Sequence, residues 1–203
     1  MSKTEKKAKP SGPAIFMYCV IVVTVVIALV CFVLHYANLI KGYPTLDNVV
    51  LWVGIVCFMI TYHFWMRIIM GNVSKLFTIH YKQRWFRERR FEQKLYKLLR
   101  VRKWKEKVLT YNPDHFSTKL HSYEEIANTM AKSEVDHWLN ELIALSSILF
   151  SLIWGELWIF VITAVAAMIF DSQFIIVQRY NRPIVLRVAK MKAERGETDQ
   201  NGI

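Results

Sequence analysis

Cysteine is scarce in this chain: Cys19, Cys31 and Cys57 are the only three in 203 residues. They form no CxxC pair and no disulfide framework, and each sits in an apolar stretch as a small packing residue, so cysteine usage carries no redox signal. Charge is missing over long stretches as well. Between Lys9 and Lys41 there is no Asp, Glu, Lys or Arg, and nineteen uncharged residues separate Asp47 from Arg67. About 20 apolar residues in helix cross the hydrocarbon layer, so both stretches qualify as spans. The run from Ala14 to Leu34 is longer than the apolar region of a secretory signal, and no small-x-small site ends it. An uncleaved anchor is therefore expected.

Acid is the third shortage. The chain carries a formal net charge of +11, and between Lys75 and Lys107 thirteen Lys or Arg face three Glu, interleaved with Trp85, Phe86, Phe91, Tyr96 and Trp104. Phe91, Leu95, Leu98, Leu99 and Arg102/Trp104 approximate a helical stripe, which predicts an amphipathic helix. Asn112-Pro113-Asp114 then breaks the chain. Ser122, with Glu125 three residues on, predicts the cap of a further helix from Tyr123. Two apolar runs follow, Leu142–Gly155 and Leu157–Phe170, parted by Glu156 and flanked by Trp154 and Trp158. Each measures about 21 Å as helix, short of a full span.

The expected architecture is an all-α integral membrane protein. It has a basic tail (residues 1–13), two transmembrane helices (14–36 and 48–70) and a basic amphipathic helical region (71–138). A helical hairpin (139–178) that crosses or re-enters the bilayer and a second basic tail (179–203) complete it. Basic segments stay inside, which places both termini and the long loop in the cytosol of a multi-pass cell-membrane protein. Membrane anchors on both sides of the basic segment argue against a nucleic-acid partner. Membrane lipids are the expected partners, and the sequence sets no oligomeric state.

Standard catalytic signatures are missing too. There is no nucleophile elbow, P-loop or dinucleotide fingerprint. None of the six His has an Asp five residues on, as the glycerolipid acyltransferase signature requires. Glu134-x-x-His137 lacks the second Glu-x-x-His of a di-iron site, and His115 and His121 fit no histidine box, so neither metal nor cofactor is expected. What is present is polar and clustered. Glu134, His137 and Glu141 share one helical face ahead of Trp138, so a carboxylate can orient an imidazole for removing a proton from an alcohol. A surface His with a helical salt partner is the plainer alternative. Gln178, Arg179, Tyr180, Asn181, Arg182 and Pro183 form a dense set able to bind phosphate or sugar, or to anchor at an interface. Pro183 predicts an extended backbone at Arg182 and a fixed turn there. Arg102, Lys103 and Trp104 suit anionic lipid headgroups or a phosphorylated donor such as coenzyme A. Asp171, inside an apolar run, predicts a buried partner or a functional role.

These clusters, in this order, resemble the glycosyl-4,4'-diaponeurosporenoate acyltransferase family of staphyloxanthin-type carotenoid synthesis. Phe91-Glu92 through Val101-Arg102-Lys103-Trp104-Lys105, Glu134-x-x-His137-Trp138 and Gln178-Arg179-Tyr180-Asn181-Arg182-Pro183 carry the likeness. The tail Arg195-Gly196-Glu197 also fits, and the likeness covers roughly residues 48–197. The chain departs from the family's usual pattern at Lys132-Ser133, Asp171, Gln173 and Ile184, and Ala14–Leu34 looks like an addition. The resemblance implies transfer of a fatty acyl group from a donor such as acyl-CoA to a sugar hydroxyl of a glycolipid-like acceptor. Catalysis would fall to His137 and Glu134. Substrate binding would fall to Arg102, Lys103, Trp104, Trp138, Gln178, Arg179, Asn181 and Arg182. A non-enzymatic scaffold recruiting lipids or proteins through its basic face is the alternative.

Overall fold

In a computed structural model, which describes residues 12–108 and 113–196, the chain is built of helices joined by turns, with no strand among those residues. Most of the expected amino-terminal tail, Asn112 of the expected turn and the end of the carboxy-terminal tail lie outside them. Four helices are long and apolar enough to cross a membrane. The chain divides into two compact units, Met1–Ile68 and Ile69–Ile203.

In the first unit, α1 (Gly12–Tyr36) pairs with the start of α2 (Pro44–Val73). Pro44 at the first turn of α2 needs no backbone donor there. The pairing surface is small: Ala28 and Ile55 are buried, and a Cβ on Gly54 would stand 2.9 Å from the Cβ of Cys31. Close approach of small residues is how apolar helices associate without a hydrophobic driving force. The hydroxyls of Thr24 and Thr61 meet at 2.7 Å, and His35 Nδ1 meets Asp47 at 2.8 Å. The outward side chains of α1, Val22, Val26 and Leu29 among them, are exposed and apolar, as a lipid-facing helix requires.

The second unit is built on α5 (Tyr123–Ser147) and α7 (Leu157–Glu194), with short α6 (Ser151–Trp154) between them. Ser122 caps α5 as expected: its hydroxyl accepts from the Glu125 N–H, and the Glu125 carboxylate accepts from the Ser122 N–H at 2.8 Å. The chain reverses at Gly155 and Glu156, both with positive φ. The rest of the unit is α3 (Arg90–Leu98), α4 (Val101–Trp104) and single 3-10 turns, so part of the basic segment is an amphipathic helix. Arg100, in the left-handed conformation, separates α3 from α4.

Two sequence expectations change here. Neither hairpin arm is short. From α5 the helical path continues through a 3-10 turn and α6 to Trp154, and α7 runs for 38 residues, about 57 Å, so both arms extend past residues 139 and 178 at the ends away from the tip. Nor does Pro183 mark a turn: it lies inside α7. Proline removes one helical hydrogen bond and disfavours helical backbone at the residue before it. Here the fixed side chain of Arg182, bonded on α5 and on the 84–86 turn, holds the helical path through the proline.

Candidate functional site

The α5–α7 pair carries a polar seam at helical spacing. Positions 133, 134, 137, 140 and 141 of α5 meet 171, 172, 178, 179 and 182 of α7. Three turns of two antiparallel helices thus bring together what the sequence holds some thirty to fifty residues apart.

At one end is an ion cluster. Glu134 is fully buried and bridges Arg179 Nη1 at 3.1 Å and Arg182 Nη1 at 2.8 Å. Arg179 Nη2 reaches Glu92 of α3 at 3.1 Å and donates to the Trp85 carbonyl; Arg182 Nη2 donates to the Phe86 carbonyl and its guanidinium lies over the Phe86 ring. Glu92 in turn accepts from the Tyr96 hydroxyl at 2.9 Å. Burial first, then that bond to Glu92, pushes the Tyr96 phenol up, so it stays a donor. Beside the cluster, Lys105 donates to Asn181 and sits over the Tyr180 ring. Gln178 donates to Ser133, and Trp138 meets Trp85 edge to face.

One turn along α5 is a His–Asp pair. His137 Nδ1 lies 2.8 Å from Oδ1 of Asp171, a fully buried carboxylate that also accepts from Asn140 at 3.1 Å. With Asp171 ionised, Nδ1 carries the proton and Nε2 presents its lone pair. The imidazole stacks flat on Phe174, ring centroids 4.5 Å apart. Phe174 also lines a cleft of about 360 Å³, with Trp104, Lys107, Val108, Phe170 and Gln173. Beyond the dyad, Ser172 donates to buried Glu141 at 2.7 Å.

This geometry corrects the expected pairing of Glu134 with His137. The two share a helix face, but Glu134 is committed to two arginines across the seam, and Asp171 orients the imidazole instead. Arg182 is likewise unavailable for a substrate phosphate, since its side chain is 3% exposed and its terminal nitrogens are bonded inside the protein. Asn181 is tied to Lys105. Trp104 reaches the cleft wall, whereas Arg102 and Lys103 are exposed outside the seam. The sequence flagged Asp171 as a costly carboxylate without naming its partner. Asn140 and Phe174 gave no signal by spacing, because each matters only through a contact made across helices, and Glu92 entered only through the family resemblance.

Among curated proteins and among solved structures, nothing matches. Residues 82–191 match the family model described as glycosyl-4,4'-diaponeurosporenoate acyltransferase, more than half of the chain, including the ion cluster, the dyad and the cleft. The chain therefore belongs to the glycosyl-4,4'-diaponeurosporenoate acyltransferase family.

Proposed function

We propose that the protein transfers a fatty acyl group from acyl-CoA to a sugar hydroxyl of a glycosylated isoprenoid or similar glycolipid, with His137 as general base. The observation that carries this reading is the buried carboxylate behind His137 Nδ1, beside an apolar cleft. Nε2 takes the proton of the acceptor hydroxyl as its oxygen attacks the thioester carbonyl. The C–S bond breaks, the proton passes to the departing thiolate, and an ester remains. Asp171 fixes the tautomer and stabilises the imidazolium. Trp104 and Lys107 suit the acyl end of the donor, and Arg102 and Lys103 its phosphates. Glu134, Arg179 and Arg182 act as positioning residues that hold α7 in the register placing Asp171 opposite His137. The positive-inside bias supports a site on the cytosolic face of the cell membrane, with both termini on that side.

Purified protein in proteoliposomes, given acyl-CoA and a glycosylated isoprenoid, should form the ester. His137→Ala should lose most of this turnover. Full turnover by that variant would remove the base assignment.

A further inference from the structure

We infer that α3 lies in the plane of the membrane surface, with its apolar face inserted among anionic lipid headgroups. The argument starts from which face of the helix is buried. At 100° per residue, Phe91, Leu95 and Leu98 fall within about 60° of arc. In a helix packed on a protein core that arc would face inward. Here Phe91 is 57% and Leu98 79% exposed, and Leu95 is half-buried. The arc turned towards the protein holds Glu92 and Tyr96, both buried and bonded to each other, with Glu92 also paired to Arg179. Arg90, Lys94 and Lys97 occupy a third arc, and all are exposed. The helix thus has one face fixed to the protein by an ion pair, one apolar face left uncovered and one cationic face. That division suits a helix lying at the boundary of headgroups and acyl chains, its long basic side chains reaching up to phosphates.

The depth of α3 is marked independently. The exposed side chains on α5 before Trp138 are Glu124 and Glu125, and from Trp138 onward they are Leu142 and Leu145, followed by Leu149 in the next turn. On α7 the exposed surface from Leu157 to Phe170 is apolar except for Thr163, whose hydroxyl donates to the Phe160 carbonyl, and Gln173 ends it. Trp138 therefore stands at the rim of the apolar belt, where indole rings collect. Trp85, half exposed, packs on Trp138 with ring centroids 6.1 Å apart. The segment leading into α3 is held at the same level, a few residues before Phe91. The charge of the neighbourhood names the lipid: thirteen Lys or Arg against three Glu between Lys75 and Lys107 favour an anionic surface over a zwitterionic one. This inference does not depend on which alcohol is acylated.

The test places an environment-sensitive fluorescent amino acid singly at Phe91, Gln93, Lys97 and Leu98 of the full chain. Each variant is reconstituted in vesicles of phosphatidylcholine with or without phosphatidylglycerol. Because Phe91 and Leu98 are mostly exposed, the substitutions spare the core, and thermal unfolding of each variant checks this. In phosphatidylglycerol vesicles, the probes at 91 and 98 should shift to the blue and lose most of their emission to a nitroxide on the upper acyl chain. The probes at 93 and 97 should instead be quenched by aqueous iodide. Removing phosphatidylglycerol or raising the salt should weaken the lipid quenching. Iodide quenching at all four sites would overturn the proposal. So would shielding that grows with protein density, which would mean a second copy covers the face. Lipid quenching indifferent to phosphatidylglycerol would overturn the choice of an anionic surface.

Discussion

His137 and Asp171 stand 34 positions apart in the chain and 2.8 Å apart in the fold, one from each arm of the helical hairpin. Their meeting depends on helix register alone, since every contact of the seam shifts together if α7 slides by one turn. An imidazole backed by a buried carboxylate has a fixed tautomer and a fixed direction, and that requirement leads to the first test.

Asp171→Asn keeps the shape of the pair and removes its charge. Turnover should fall by about 10²–10⁴-fold, the range for a lost general base, with little change in the KM for either substrate. His137→Ala should be no more active than this. Steady-state kinetics of the two variants measure the effect, and wild-type turnover by Asp171→Asn would show that the carboxylate serves packing only.

The ion cluster should behave as structure rather than as binding machinery. Glu134→Gln leaves the buried Arg182 guanidinium without a carboxylate and Arg179 with Glu92 alone, and should cost about 3–5 kcal/mol. Thermal unfolding in detergent would record it. The paired change Glu134→Leu with Arg182→Met, which removes charge from both sides, should be less damaging than Glu134→Gln alone.

The cap of α5 predicts a pH window. The Ser122 backbone N–H first, and then the Ser122 hydroxyl, hold the Glu125 carboxyl below its usual range. Its folded value thus lies below its unfolded value. The stabilisation is complete above the ordinary glutamate value of about 4.3, and it is lost as pH falls through the lowered folded value. Glu125→Gln should flatten the stability profile across that acid window. Ser122→Ala should cost about 1 kcal/mol at neutral pH. Melting temperatures measured from neutral to acid pH separate the two effects.

Gly54 tests the first unit. A methyl there would meet the Cβ of Cys31 at 2.9 Å and the Phe32 ring at 3.0 Å, and neither can swing away freely. Gly54→Ala should destabilise the α1–α2 pair by about 1–3 kcal/mol through overpacking, although alanine is the better helix former by about 1 kcal/mol. An unchanged melting transition would mean the two helices separate at no cost.

Much of this was legible in the chain because local physics decided it. Uncharged runs marked α1 and α2, and Ser122 with Glu125 fixed the start of α5. Gly155-Glu156 gave the reversal. The misreadings occurred where tertiary contacts outweighed local preference. Pro183 reads as a break, yet Arg182, held by Glu134 and the Phe86 carbonyl, carries the helix through it. Spacing paired Glu134 with His137, and two arginines from the other arm drew the carboxylate away. The stripe on α3 read correctly as apolar, but sequence cannot say whether such a face turns inward or outward. Glu92 and Tyr96 decide that, through a partner on α7.

The unbroken length of α7 has one further consequence. Asp171 and Arg179 lie on one rod, eight residues or about 12 Å apart along its axis. The arginine end is fastened to the 84–86 turn and α3, and the aspartate is carried that far towards the hairpin tip. The helix therefore acts as a ruler, with its zero mark at the ion cluster. Under the proposed mechanism, that distance sets how far below the mark an acceptor must carry its free hydroxyl, a criterion separate from the identity of the sugar that bears it.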